Sequence, residues 1–129
     1  MTVRWLTEAW FEAVAAEGAS ITGPPTLTGT VVVEVTGGAE GDAVGHAVFA
    51  DGRLVGSGAG PVPAPDVTLT LTDADARGVL AGELDPAVAF MQGRMKVAGD
   101  MGPVLDLLAL SATDDLRSLR SRVALLTDP

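Results

Sequence analysis

Apolar residues recur along this chain with two different periods, and each change of period marks an element. From Thr30 to Thr36, Val31, Val33 and Val35 alternate with Val32 and Glu34, the two-residue rhythm of a half-buried strand. A second strand is predicted from Ala43 to Ala50, after a Gly37–Asp42 hairpin loop, and a third from Arg53 to about Gly56. The Asp51-Gly52 pair between them suits a tight turn. Val67 to Thr72 is the clearest strand, with Val67, Leu69 and Leu71 inward and threonines outward. A short fifth strand is predicted from Arg94 to Ala98, where Arg94 and Lys96 alternate with Met95 and Val97 between Gly93 and Gly99.

Elsewhere the spacing is helical. From Thr2 to Glu17, Arg4, Glu8 and Glu12 form a polar line opposite Leu6, Trp10, Ala13 and Val14, and Gly18 is the stop. Asp73 or Asp75 starts a helix ending near Gly82, and Asp85-Pro86 opens a short one through Gln92. Asp100 is placed to cap the next helix, whose first turn tolerates Pro103. In it Met101, Val104, Leu105 and Leu108 share a stripe that Leu107 and Leu110 widen, and Asp106 alone marks a solvent side. A helix so apolar is expected to be buried on two sides. Thr113-Asp114-Asp115 caps a last helix with Leu116, Leu119, Val123 and Leu126 inward and Arg117, Arg120 and Arg122 toward water.

Composition narrows the picture. The 129 residues suit one domain with one core. With few aromatics (Trp5, Trp10, Phe11, Phe49 and Phe90), that core is built mostly of Val, Leu and Ala. The absence of cysteine removes disulfides, thiolate metal sites and cysteine nucleophiles, and a lone His46 removes a multi-histidine metal site. A net charge of −9 with no basic stripe argues against nucleic acid, and against stable association with anionic membranes. Glu8 and Glu12 interrupt the only early apolar run, no stretch reaches membrane-spanning length, and Thr127-Asp128-Pro129 is not a peroxisomal tripeptide. The expectation is a bacterial-type cytoplasmic protein.

Little in the chain suggests catalysis. Gly56-Ser57-Gly58-Ala59-Gly60 is followed by prolines rather than a helix, so it reads as a flexible crossing loop and not a phosphate cradle. His46 lies in a strand, where a hydrogen-bonded or surface role outweighs general-base work. The pairs Asp73/Asp75 and Asp114/Asp115 stand at helix starts, where capping accounts for them. No catalytic residue, metal or cofactor is assigned.

The block from Asp66 to Leu107 carries more specific information. It runs Thr68-Leu69-Thr70-Leu71-Thr72, an acidic helix start, Gly82-x-x-Asp85-Pro86, Phe90-x-x-Gly93-x-x-Lys96-Val97-x-Gly99-Asp100-Met101-Gly102, and a leucine-rich helix. This series, about a third of the chain, resembles the sterol carrier protein 2 family. The resemblance implies an α+β fold: a five-stranded, mostly antiparallel sheet with helices on one face and an apolar tunnel between the layers. Residues 1–129 are then a single domain with an N-terminal helix (2–17), a three-strand meander (28–58), a family core (66–110) and a C-terminal helix (114–126). It implies non-catalytic binding and carriage of sterol, fatty acyl or similar lipids, by a monomer or weak dimer. The alternative is an accessory or assembly module that shields the substrate of a partner enzyme. Expected tunnel residues are Phe90, Met91, Met101, Val104, Leu105 and Leu108. Trp10 would close one end, and Gln92 would stand near a polar group or bond within its turn.

Overall fold

The structure is a computed structural model that describes residues 2–128. Strands β1 (Gly29–Gly38), β2 (Gly41–Ala50) and β3 (Arg53–Ala59) form the meander, and β4 (Val67–Thr72) and β5 (Lys96–Gly99) complete a five-stranded sheet in the order β3-β2-β1-β4-β5. All neighbours pair antiparallel except β1 and β4, which run parallel. Placing β4 beside β1 forces the chain to cross back over two strands after β3. Residues 60–66, with Pro61, Pro63 and Pro65, make that crossing. The helices are α1 (Glu8–Gly18), α2 (Asp73–Ala81), α3 (Pro86–Met91), α4 (Met101–Ser111) and α5 (Asp114–Leu126).

The parallel register sets Val31 beside Val67, Val33 beside Leu69 and Val35 beside Leu71, all on the helix-facing side. Val31 and Val67 pack with Val104 of α4, while Val35 and Leu71 pack with Ala76 of α2. Each such side chain, fully buried, contributes roughly 1.5–3 kcal/mol. Local chemistry agrees at the joints. Thr72, Asp85 and Thr113 cap α2, α3 and α5, their side chains accepting from the amides of Asp75, Ala87 and Leu116. Gly82 ends α2 at φ 79°. Asp51 and Gly52, at φ 52° and 85°, supply the two positive values of the turn between β2 and β3.

Several expectations are corrected. The first helix begins at Glu8 rather than Thr2, because Thr7 is its cap and accepts from the Trp10 amide. Leu6 has φ 61°, and Val3 instead bridges to Thr127 beyond the end of α5. The loop between β1 and β2 shrinks to Ala39-Glu40, since Gly38 pairs with Gly41. Gly56 to Ala59 are not loop but the second half of β3, pairing with β2 from Val48 to Gly45. The edge of β3 is closed by Glu8, whose carboxylate accepts from the Ala59 amide at 2.6 Å. The fifth strand starts at Lys96, because Arg94 turns aside to pair with Asp75 and Met95 is buried beneath α3. Asp100 precedes α4, but its side chain makes no capping hydrogen bond. Finally, α4 is covered on one side only. Val104 is 1% exposed against the sheet, whereas Leu105 is 57% exposed on the opposite face.

Gly93 and Gly99 differ in a way that measurement can read. Both have positive φ, 74° and 116°. A Cβ on Gly93 would meet open space, but one on Gly99 would sit 2.3 Å from the Asp66 carbonyl oxygen, inside the β4–β5 ladder. Gly93→Ala should cost about 1 kcal/mol. Gly99→Ala should cost clearly more, since backbone must move. Urea midpoints of the two variants check the order.

Candidate functional site

Between the helix-facing side of β1, β2 and β4 and the three helices α1, α2 and α5 lies a cavity of 240 Å³. Val33, Val35, Ala43 and Leu71 form its floor, Ala76, Val79 and Leu80 its α2 wall, and Trp5, Leu6, Trp10 and Phe11 its N-terminal end. Gly45 also lines it, for a steric reason: a Cβ there would lie 2.0 Å from Phe11 Cζ. A glycine inside a strand pattern signals just such a close approach. Gly45 thus admits the Phe11 ring, Ala43 and Ala76 leave the volume, and the aromatic residues bound it.

The three rings stack edge to face. Trp5 and Trp10 centroids are 5.0 Å apart, and those of Trp10 and Phe11 are 5.1 Å apart. Their polar edges are satisfied away from the cavity. Trp5 Nε1 donates to Asp73 Oδ1 at 2.8 Å, and Trp10 Nε1 donates to Thr127 Oγ1 at 2.9 Å. The cavity therefore receives only the apolar bodies of the indoles. Arg77 lies over the Trp5 ring at 5.0 Å and donates to Asp73. Desolvation alone would raise the Asp73 pKa, but the hydrogen bonds from Trp5 and Arg77, with the Arg77 charge, bring it below its ordinary value. The Asp75 pKa is lowered chiefly by its hydrogen bond from Arg94, which offsets desolvation. A depressed carboxylate pKa contributes stability above its unfolded value of about 3.9, lost as pH falls through the folded value. Acid titration should accordingly release Trp5 below pH ~4 as Asp73 is protonated. Tryptophan emission should shift there in the wild type, and Asp73→Asn should remove the shift.

One charged side chain reaches the cavity. Arg120 was expected to face water like Arg117 and Arg122, which are exposed, but it is half-buried and lies on the cavity wall. It stands four residues after Leu116 and three before Val123, hence on the inward stripe of α5. Helical spacing pointed inward, and the charge misled.

The candidate residues from the sequence are dispersed. Trp10 lies on the cavity. Val104 is sealed in the core with Val31 and Val67. Phe90 and Leu108 pack with Leu84, Ala89 and Met95 in a cluster that touches the cavity only through Val79. Met91, Met101 and Leu105 are 77%, 42% and 57% exposed on α3 and α4. Gln92 is exposed, and its Oε1 accepts from Arg94 Nη1 at 3.3 Å. His46 has Nδ1 2.9 Å from the Gly60 carbonyl oxygen, in keeping with a structural role. Among the described residues no cluster of histidines and carboxylates could hold a metal, and no helix is long and apolar enough to cross a membrane. A second, larger cleft of 490 Å³ beside the cavity is ringed by Arg4, Glu40, Asp42, Asp73, Arg77 and Asp128, so it is a charged groove.

These features define a class: an α+β domain in which an apolar pocket lies between one mixed, mostly antiparallel sheet and its helices. The family model described as the SCP-2 sterol transfer family matches residues 25–111, and the chain belongs to that family. Its fold is similar to a crystal structure of sterol carrier protein 2, with 21% identity over 90% of this chain and 97% of that one and a TM-score of 0.73. It is likewise similar to the solution structure of palmitated sterol carrier protein 2-like 2 from Aedes aegypti, at 21% identity, 88% and 96% coverage and a TM-score of 0.67. A stereoselective inverting sec-alkylsulfatase from Pseudomonas contains the fold too: 80% of this chain matches 16% of that enzyme at 20% identity, with a TM-score of 0.55. No curated protein matches in sequence.

Proposed function

We propose that this protein binds and carries an apolar ligand, an acyl chain or similarly slender lipid, in the cavity between the sheet and α1, α2 and α5. The carrying observation is the cavity itself: 240 Å³ walled by Trp, Phe, Leu, Val and Ala, with every indole N–H bonded elsewhere. Membership of the sterol transfer family supports the same reading. The volume falls just below the ~300–1,000 Å³ usual for ligand pockets, which suits a chain better than a fused ring system. The ligand set is Trp10 together with Trp5, Leu6, Phe11 and Leu71. Phe90 and Leu108 support the wall through Val79, and Met91, Met101 and Leu105 lie outside it. On this reading the protein is a cytoplasmic carrier, monomeric or weakly dimeric, that acts without a cofactor and catalyses no reaction.

Native mass spectrometry of protein purified under gentle conditions should show a co-purified lipid mass. Because Trp5 and Trp10 face the cavity, added dodecanoate or dodecanol should change tryptophan emission saturably. No bound mass, and no saturable response to any apolar compound, would rule out the carrier. A second reading, an accessory module serving a partner enzyme, is favoured by the presence of this fold within the alkylsulfatase. A stable complex with an enzyme, formed by a chain that binds no lipid, is its mark.

A further inference from the structure

The proposed cavity has one feature that an apolar ligand alone does not explain. Nε and Nη1 of Arg120 are both buried and have no hydrogen-bond partner among the described residues. The other arginines are treated differently. Arg4, Arg77, Arg94, Arg117 and Arg122 each pair with a carboxylate, and Arg53 is exposed to water. The chain has 17 acidic residues against 8 basic ones, so carboxylates to neutralise Arg120 are not scarce. Among the described residues none pairs with it.

Two buried guanidinium nitrogens without an acceptor are costly, because their N–H groups lose water and gain nothing. Its surroundings show where an acceptor could come from. Arg120 and Leu80 are the side chains common to the apolar cavity and to a third cleft, of 510 Å³, between α2 and α5. That cleft carries Arg117, Ser121 and Asp85, and the Asp85 carboxylate is already engaged by the Ala87 amide at 2.8 Å. Arg120 thus stands at the boundary between an apolar interior and a polar, cationic mouth.

We propose that Arg120 is the specificity residue of this site. It takes the ionised carboxylate of an amphipathic ligand whose apolar body lies toward Trp10 and Phe11. The planar guanidinium offers a carboxylate two parallel donors as Nε with Nη2, the pair Arg94 uses on Asp75, or as Nη1 with Nη2, so either mode takes up one of the two orphaned nitrogens in a charge-assisted pair. A ligand of this class enters between α2 and α5 with its tail leading, and its head replaces the missing acceptor. A neutral alcohol or ester of the same length fills the apolar part and offers Arg120 only an uncharged acceptor, without the charge-assisted pair.

The inference rests on the carrier reading above, and one set of titrations separates the two. Dodecanoate, dodecanol and methyl dodecanoate are titrated at pH 8 against wild type, Arg120→Met and Arg120→Lys, followed by tryptophan emission. Wild type should bind the acid about tenfold or more tighter than the alcohol, the scale of one charge-assisted hydrogen bond. Arg120→Met should lose that preference by weakening the acid alone, and Arg120→Lys should keep part of it. Free of ligand, Arg120→Met should unfold no earlier than wild type, whereas a structural arginine would leave it less stable. Equal binding of acid and alcohol by wild type overturns this assignment and leaves the carrier standing. So does an acid preference that survives in Arg120→Met. Failure of all three compounds to bind wild type overturns both. Should Arg120→Met not fold, the wild-type comparison of acid with alcohol decides alone.

Discussion

Ala76→Phe should reduce binding of an acyl ligand by about a hundredfold while shifting the unfolding midpoint little. Ala76 lies on α2, packs with Val35 and Leu71, and forms part of the cavity wall. A phenyl ring there would occupy space where the ligand lay. Denying a ligand ~100–120 Å² of apolar burial at about 25 cal/mol per Å² costs roughly 3 kcal/mol, and that is near a hundredfold in Kd. In a close-packed interior the same substitution would overpack and destabilise by ~1–3 kcal/mol. Binding and stability therefore answer separately. Leu105→Trp is the control: Leu105 is exposed on the outer face of α4, so neither binding nor midpoint should move. Tight binding retained by Ala76→Phe, or lost by Leu105→Trp, would move the site to the α4 region.

Gly45→Ala should destabilise the protein by about 2–3 kcal/mol. Gly45 pairs with Val33 of β1 and Ala59 of β3, so its backbone is held from both sides. A Cβ would meet Phe11 at 2.0, 2.4 and 2.8 Å from three ring carbons. The buried Phe11 ring, β2 or α1 must yield, and α1 is tied to the sheet through Glu8 and to α5 through the Glu17–Arg122 pair. Because Phe11 also bounds the cavity, ligand binding should weaken in the same variant. Pairing the change with Phe11→Leu should recover part of the loss, a coupling of ~1 kcal/mol or more between residues in contact. Purely additive midpoints would show that the ring does not rest on Gly45. Chemical denaturation of the two single variants and the double variant completes the cycle.

The outer face of α4 records a different lesson. Its leucine-rich sequence requires one buried face, which Val104 and Leu110 supply, but periodicity does not require a second. Leu105 and Met101 remain partly open to water, with Val88 and Met91 of α3 also exposed. Single exposed apolar side chains are ordinary on protein surfaces. Apolar girth alone thus overestimated what the fold covers.

The elements and their joints were legible in the chain itself, because they rest on local rules. Alternation of Val31, Val33 and Val35, the threonine-flanked run at Val67–Thr72, Asp51-Gly52, Asp85-Pro86 and Thr113 each act within a few residues, through strand pleat, turn sterics or orphan helix amides. The block from Asp66 to Leu107 likewise carried the family, and with it the sheet and its helices. Two local misreadings, at Leu6 and at Gly56–Ala59, share a cause. In each the intrinsic preference of a segment yielded to a partner distant in sequence: Thr127 for Val3, and His46 and Ala47 for the glycine-rich half of β3. The cavity belongs to the same category. Its walls come from Trp5 through Arg120, drawn together by the parallel pairing of β1 with β4 and by the packing of α1 and α5 across the sheet. Volume left between layers is a difference between large packed volumes, set by every side chain at once, and no single stretch of sequence contains it.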